Sequence, residues 1–194
     1  WPEDDHMRYD CHGLEAENCI DCEFTYNSIE GFIWEGIMVE HDGSGSIFIG
    51  NEVLHDGGYL SIAVGEGDDI LFSDNIVSTD AQAFWIGDGN NITFSNNNIT
   101  SALQGVSISN GTDIIFTNNT ITSGQTGIYI GDGTNYTLTE NVINSTNRGL
   151  DIPKGEDLII TNNDITSDIH AIEVRSSGTN LNISDNTLYS IYNS

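Results

Sequence analysis

The sequence predicts an all-β solenoid, and two observations lead to that prediction. Asparagines recur at intervals of 22 residues, and finally of 23, at Asn75, Asn97, Asn119, Asn141, Asn163 and Asn186. Around each of them apolar and polar residues alternate, as in ITFSNNNIT and LIITNNDIT, and this alternation is typical of half-buried strands. A repeat of this length buries too little apolar surface to fold alone, so successive repeats must stack as coils.

The first 36 residues are expected to form an N-terminal cap and an irregular first coil. Phe32, Ile33 and Trp34 supply apolar side chains that would cover the open end of the core, as the terminal repeats of solenoids must. Glu23 and Glu52 are 29 residues apart. This exceeds one repeat and predicts an inserted loop of about seven residues between Tyr26 and Gly36.

Residues 37–194 are expected to form the regular coils. The first of these coils is matched by Ile47, Ile49, Asn51 and Leu54, with Glu52 at the position of the repeated asparagine. The inward columns of the later coils begin at Ile62, Val64, Ile70, Phe72 and Val77. The asparagines should form an internal ladder, because stacked amides bond to one another and to turn backbone. No capping helix follows Leu188, so the C-terminal end is expected to be an uncapped strand edge.

The frame I-x-[FI]-[ST]-x-N-x-I, followed by G-[IV]-x-[IV] and a Gly/Asp/Asn turn, resembles a known repeat. It is similar to the right-handed parallel β-helix repeat of pectate-lyase-like and NosD-like carbohydrate-associated domains, over roughly residues 37–190. The resemblance implies a single-stranded right-handed parallel β-helix of about eight coils. It does not imply one activity, because the family includes lyases, hydrolases, epimerases, adhesins and inert scaffolds. A pectate-lyase-like Arg motif and a polygalacturonase-like G-H-G are both missing, so no catalytic residue is carried over from the family.

Charge restricts the partners of this protein. The chain has 30 acidic and 4 basic residues, which gives a formal net charge of −26. Nucleic acid is excluded as a partner because its phosphates would be repelled. Such a surface fits a halophilic or calcium-rich extracellular setting, where salt or divalent cations screen the repulsion. The sequence contains no membrane-spanning run.

The cysteines allow two interpretations. Cys11, Cys19 and Cys22 all lie near the N-terminus, so two of them can form a disulfide that staples the cap and leaves the third free. With His6 and His12 nearby, a zinc site is the alternative. The disulfide is favoured because the spacing matches no metal motif.

One outward column carries the candidate site. Residues 22 apart stack on adjacent coils, and this column reads Ala63, Trp85, Ser107, Tyr129, Asp151 and Glu173. Three of the four basic residues lie beside its end, at Arg148, Lys154 and Arg175, together with His170. Trp85 and Tyr129 are expected to stack on sugar rings. Arg148, Lys154 and His170 are expected to contact the same ligand.

Asp151 and Glu173 should lie on strands ~4.8 Å apart. With Arg175 they are candidates for acid/base or nucleophilic catalysis on a glycosidic bond. The same two carboxylates are candidate ligands for Ca²⁺, although no cofactor is required. The alternative is an ordinary surface salt-bridge cluster, in which Arg175 pairs with Glu173 and Arg148 with a nearby acid.

The favoured function is an extracellular or cell-surface scaffold or adhesion domain that binds polysaccharide on one lateral face. Its partners would be a polysaccharide, or neighbouring copies or domains of a surface assembly. The alternative is a polysaccharide lyase or glycoside hydrolase that acts on the same face. The non-catalytic hypothesis is favoured because the strict 22-residue coils from Ile70 to Thr166 leave no room for loops that build a cleft.

Overall fold

The computed structural model describes residues 12–32, 34–55, 59–175 and 179–191. These residues form 21 strands and no helix, and every strand pair is parallel. The strands wind into about eight coils. The larger of the two sheets bends round one corner, so that each coil presents three faces. No helix able to cross a membrane occurs in this described part of the chain.

The strands of each face stack in chain order. Face 1 contains β1 (Leu14–Glu17), β4 (Glu35–Asp42), β7 (Leu60–Glu66), β10 (Gln82–Ser95), β12 (Val106–Thr117), β14 (Thr126–Thr139), β16 (Arg148–Ile152) and β19 (His170–Val174). Face 2 contains β2 (Glu23–Thr25), β5 (Ile47–Ile49), β8 (Leu71–Ser73), the second halves of β10, β12 and β14, β17 (Glu156–Thr161) and β20 (Leu181–Ser184). Face 3 contains β3 (Ser28–Glu30), β6 (Glu52–His55), β9 (Ile76–Thr79), β11 (Asn98–Ser101), β13 (Thr120–Ser123), β15 (Val142–Ser145), β18 (Asp164–Ser167) and β21 (Thr187–Ser190).

The core consists of the inward columns that the repeat predicts. Ile62, Phe84, Val106, Ile128 and Leu150 pair in register along face 1 and are fully buried. On face 2 an aromatic stack joins Phe24, Phe48, Phe72, Phe94 and Phe116, with ring centroids 4.6–4.7 Å apart. Burial of this continuous apolar column stabilises neighbouring coils against one another.

The asparagine ladder is confirmed. The backbone N–H of Asn97 and its Nδ2 both donate to Oδ1 of Asn119, at 3.0 and 2.9 Å. The same Nδ2 donates to the carbonyl oxygen of Phe72 at 3.0 Å. The pattern extends to Asn186 at one end and, through Asn51, to Asn27 at the other. Each amide thus satisfies buried backbone and side-chain groups at the corner between faces 2 and 3.

The register expected for the coil around Asn51 is wrong by one residue. Phe48 and Val53 point inward, with Phe48 paired to Phe72 and Val53 to Val77, in place of Ile47, Ile49 and Leu54. Asn51 is the ladder residue and Glu52 is exposed. Since the triplet Ile-Phe-Ile is apolar throughout, its period allows either register. Stacking of the phenylalanine ring decides between them.

The inserted loop expected between Tyr26 and Gly36 is also wrong. Strand β3 lies in that segment and pairs with β6, with Ser28 opposite Glu52. The spacing from Asn27 to Asn51 is therefore 24 residues, only slightly longer than the later coils. Phe32, from the expected cap, is buried and stacks on the ring of His55. Ile33 lies outside the described residues.

Columns of left-handed backbone turn the chain between faces. One column contains Asp69, Asn91, Asp113, Asn135, Asp157 and Asn180, with φ between 55° and 61°. Asp and Asn alternate along it, and Asn91 Nδ2 donates to Asp69 Oδ1 at 2.6 Å. Asn135 and Asn180 donate to the preceding aspartate in the same way. The alternation separates carboxylates that would otherwise stack on adjacent coils.

Candidate functional site

The outward column expected on face 1 is present and extends two coils further towards the N-terminus, through Met38 to Glu15. Backbone pairing aligns Met38, Ala63, Trp85, Ser107, Tyr129, Asp151 and Glu173. We refer to these seven residues as the Trp85 column. Trp85 and Tyr129 are half-buried, and Ala63 and Ser107 lie buried between the larger side chains. The column therefore forms a narrow strip that crosses the coils at right angles to the strands.

Four charged residues form one ion-pair network at the C-terminal end of the Trp85 column. Nη2 of Arg175 lies 2.6 Å from Oδ1 of Asp151, and Nε of Arg148 lies 3.8 Å from Oδ2 of the same carboxylate. Nε of Arg148 also donates to Oε2 of Glu173. The expected pairing of Arg175 with Glu173 is wrong. Arg175 extends back to Asp151 on the preceding coil and leaves Glu173 to Arg148.

This network limits the chemistry of the two carboxylates. Asp151 is only 5% exposed, and a guanidinium lies near each of its oxygens. A carboxylate buried in this way offers little surface to a substrate, and a reacting atom could reach it only by displacing a guanidinium group. Among the described residues, no group of three or more His, Cys, Asp or Glu side chains is arranged to hold a metal ion.

The two other expected ligand contacts lie at the margins of this network. His170 Nδ1 is 3.9 Å from Oε2 of Glu173, and its side chain is about half-exposed. Nζ of Lys154 lies 2.9 Å from Oδ2 of Asp132, and both side chains are mostly exposed. The hydrogen bond from Lys154 to Asp132 raises the pKa of Lys154, and the charge of Asp132 adds to this effect. All three basic residues in the described part of the chain are thus paired with acids.

A cleft of about 550 Å³ opens at the other end of the Trp85 column. Its walls are Glu35, Met38, Tyr59, Leu60, Ala63, Gln82, Trp85, Leu103 and Ser107. The expectation that the 22-residue coils leave no room for a cleft is wrong, because Gln82, Trp85, Leu103 and Ser107 of those coils line this one. Glu35 and Leu60 line it from the stretch where face 1 advances by 25 residues in one coil, since these two residues pair with each other.

Glu35 is the polar group inside the cleft that sequence reasoning missed. It is 8% exposed, and its Oε2 lies 2.9 Å from Nδ1 of His12. Glu35 pairs with Leu60, and Leu60 pairs with Gln82. Gln82, Arg148 and His170 belong to the same column, and following that column from Gln82 two coils towards the N-terminus leads to Glu35. The signal was hidden by the irregular length of those coils.

The N-terminal cysteines form a local link. Cys19 and Cys22 are joined by a disulfide, with their Cα atoms 5.6 Å apart. A sulfur in a disulfide offers no thiolate for zinc, and His12 faces Glu35. Cys11 and His6 lie outside the described residues.

The family described as "Right handed beta helix region" matches residues 35–188, which is more than half of the chain. The fold is similar to a double mutant of the periplasmic alginate epimerase AlgG, with a TM-score of 0.76 and 14% sequence identity. That alignment covers 91% of this chain and 47% of the other. A second structure of periplasmic alginate epimerase AlgG aligns with a TM-score of 0.70 and 16% identity over 92% of this chain and 46% of the other.

These identities establish a shared fold alone, and the chain spans a little under half the length of each epimerase. No curated protein matches the sequence.

Proposed function

This chain belongs to the right-handed β-helix family, and from that premise we propose that it is a non-catalytic polysaccharide-binding domain of an extracellular or cell-surface protein. The polysaccharide lies along face 1, with its sugar rings against Trp85 and Tyr129. The likeness to periplasmic alginate epimerases supports a polysaccharide partner and a setting outside the cytoplasm.

The observation that carries the proposal is the continuity between the Trp85 column and the cleft. Trp85 belongs to both, and Tyr129 lies two coils further along the same column. Strands in a sheet are ~4.8 Å apart, so the two rings are about 10 Å apart along the solenoid axis. A straight strip with spaced aromatic rings suits a linear polymer, because each ring can stack on the apolar face of a sugar.

The state of Asp151 and Glu173 supports a binding role over catalysis. Glycoside hydrolysis needs one carboxylic acid and one free carboxylate on opposite sides of the bond. Here both carboxylates are engaged by Arg148 and Arg175. A lyase or hydrolase that used this pair would first have to break the ion-pair network.

A glycan array with and without CaCl₂ tests the proposal, followed by titration of the best ligand. We expect Trp85→Ala to weaken binding by about tenfold or more, since it removes a stacking platform and its buried apolar area. Tyr189→Ala is the matched control, because Tyr189 is an exposed aromatic residue on face 3. Its affinity should stay within about twofold of the wild type.

Two results would contradict the proposal. One is a wild-type protein that binds no glycan on the array in either buffer. The other is release of unsaturated uronate or reducing ends from a bound polysaccharide, which would indicate a lyase or a hydrolase.

A further inference from the structure

The spacing and surroundings of the two rings in the Trp85 column narrow the class of polysaccharide, and this inference rests on the proposed function. We propose that the column and its cleft bind an uncharged, β-1,4-linked polysaccharide in extended form. The polymer runs along the solenoid axis and places one disaccharide against every two coils.

The first argument is the alternation of large and small side chains along the column. Met38, Trp85 and Tyr129 are large and half-buried. Ala63 and Ser107 lie on the coils between them and are buried. The large residues therefore recur on every second coil, about 10 Å apart along the axis, because adjacent strands are ~4.8 Å apart.

An extended β-1,4-linked chain repeats over about the same length as two coils. Each sugar in such a chain is rotated by about half a turn relative to its neighbour, so that every second sugar presents the same face in the same direction. Two rings on alternate coils can therefore stack on equivalent faces of one polymer. A polymer that coils, such as an α-1,4-linked glucan, does not keep alternate sugars in line.

The second argument is the shared direction of the two rings. A Cβ atom added to Gly87 would lie 3.2 Å from Cη2 of Trp85, and one added to Gly131 would lie 3.4 Å from Oη of Tyr129. Each ring thus extends along its own strand to the glycine two residues further on. Since both rings lean the same way, they are placed alike for two equivalent sugars.

The third argument is charge, which disfavours a polymer of uronates. Among the described residues, the walls of the cleft include no basic side chain. Arg148, Arg175 and Lys154, at the far end of the column, each contact an acid already. A uronate would lose hydration without gaining a free cation, and it would approach a chain with a formal net charge of −26. An uncharged sugar meets neither cost.

The lining of the cleft also suits an uncharged pyranose ring. Met38, Leu60 and Leu103 supply apolar surface, against which the C–H groups of a sugar can pack. The side chain of Gln82 is a polar, uncharged part of the wall, and its Nε2 donates to the carbonyl oxygen of Phe84 at 3.0 Å. A mainly apolar wall with a few fixed polar groups is typical of a site for a small uncharged ligand.

The experiment titrates the full chain with five soluble hexamers. Three are uncharged and β-1,4-linked, and consist of glucose, mannose or N-acetylglucosamine. The fourth is maltohexaose, which is uncharged but α-1,4-linked, and the fifth is a β-1,4-linked uronate hexamer. We expect the tightest of the first three to bind at least about tenfold more tightly than the fourth and fifth, because only it combines the extended geometry with the absence of charge.

Variants assign the binding to the two rings. Trp85→Ala and Tyr129→Ala should each weaken binding of the tightest hexamer by about tenfold. Tyr129→Phe retains the ring and should keep the affinity within about twofold of the wild type. Tyr189→Ala, which removes the same side chain from an exposed position on face 3, should do likewise. Melting temperatures of all four variants show whether each is folded.

The other outcomes contradict the inference. If maltohexaose or the uronate hexamer bound as tightly as the best uncharged β-1,4-linked hexamer, the inference would be wrong and the proposed function would stand. The same conclusion would follow if folded Trp85→Ala and Tyr129→Ala bound that hexamer as the wild type does, or if the glycan array showed binding to other polymers only. Binding of no hexamer, together with an empty glycan array, would overturn both.

Discussion

At the scale of single residues, the ladder asparagines hold the corner between faces 2 and 3. Asn119 is 1% exposed and accepts two hydrogen bonds from Asn97, while its own Nδ2 donates to the carbonyl oxygen of Phe94 and to Asn141. An apolar side chain of the same size would fill the space but leave these groups without partners. The role of the residue is therefore hydrogen bonding rather than volume.

We predict that Asn119→Leu lowers stability despite its added apolar area. Several buried groups lose their partners, and each costs about 1–3 kcal/mol, so their sum exceeds the gain of about 1.5–3 kcal/mol from burying the leucine side chain. Asn98→Leu makes the same change at an exposed position of β11 and should alter stability by less than about 0.5 kcal/mol. Chemical denaturation of both variants measures the difference, and equal stability for the two would contradict the ladder's role.

A second prediction concerns the alternating column of Asp and Asn at the left-handed turns. Asn91→Asp would place three carboxylates on consecutive coils, at Asp69, position 91 and Asp113, and would remove the hydrogen bond to Asp69. We expect a lower melting temperature in 10 mM NaCl and a smaller loss in 1 M NaCl. The reason is that the screening length falls from ~30 Å to ~3 Å over that range.

Asn98→Asp is the control for charge alone, since its neighbours on adjacent coils are Ile76 and Thr120. The alternation would have no electrostatic role if Asn91→Asp lowered the melting temperature no more than this control does. The same would follow if the decrease in melting temperature did not change with salt.

At the scale of elements, the phenylalanine stack joins five coils of face 2. Phe94 lies between Phe72 and Phe116 and also meets the edge of Phe84, whereas Phe116 contacts only Phe94 among the aromatic pairs of the described residues. The column continues beyond Phe116 with Leu138 and Ile160, both fully buried. Leucine is therefore an acceptable residue at this position of a coil.

We predict that Phe94→Leu destabilises the protein more than Phe116→Leu. The two substitutions remove the same atoms, but the first breaks more ring contacts. Since an aromatic pair contributes about 0.5–1.5 kcal/mol beyond its buried area, the difference should be of that size or larger. If denaturant titrations gave the same loss of stability for both variants, the buried apolar area alone would stabilise the stack.

The ion-pair network links β16 to β19 and has a partly structural role. Arg175→Ala would leave buried Asp151 with only the more distant Arg148. We predict that the free energy of unfolding falls by about 1–3 kcal/mol. Solvent weakens this ion pair because the Arg175 side chain is nearly half-exposed. Asp151→Asn in the same background should recover most of it by removing the unpaired charge. A double variant no more stable than Arg175→Ala would contradict this account.

At the scale of the whole molecule, charge dominates. The formal net charge of −26 is spread over a surface in which each basic side chain of the described part already has an acidic partner. The remaining repulsion acts between carboxylates and is screened by salt. Regular burial along the core offsets this repulsion, since the inward columns are closed to solvent over most coils.

We therefore predict that the melting temperature rises with NaCl, because the repulsion is screened. It should rise further with CaCl₂ at equal ionic strength, because Ca²⁺ also associates with carboxylate oxygens. Thermal melts across both salts measure this. A melting temperature that changes with neither salt would contradict the halophilic interpretation. A melting temperature that changes with CaCl₂ alone would indicate a specific cation site.

Much of the fold follows from the sequence because a constant spacing determines which side chains stack. The columns that begin at Ile62 and Phe72, the asparagine ladder and the neighbourhood of Trp85, Tyr129 and Asp151 all depend on the 22-residue interval, which holds across the middle coils. The same interval fails near Asn27, where coils of 24 residues made Glu52 look like a ladder position.

The sequence by itself determined the coil, its inward columns and the face that carries the candidate site, since these depend only on the period of the backbone. Tertiary structure alone decided which acid each arginine meets, because Arg148 and Arg175 are long side chains that can reach either of two coils. It also decided the cleft, where Glu35, Tyr59, Trp85 and Leu103 converge from different coils. The 25-residue step between Glu35 and Leu60 breaks the 22-residue period at this point, so the spacing alone did not show that these residues meet.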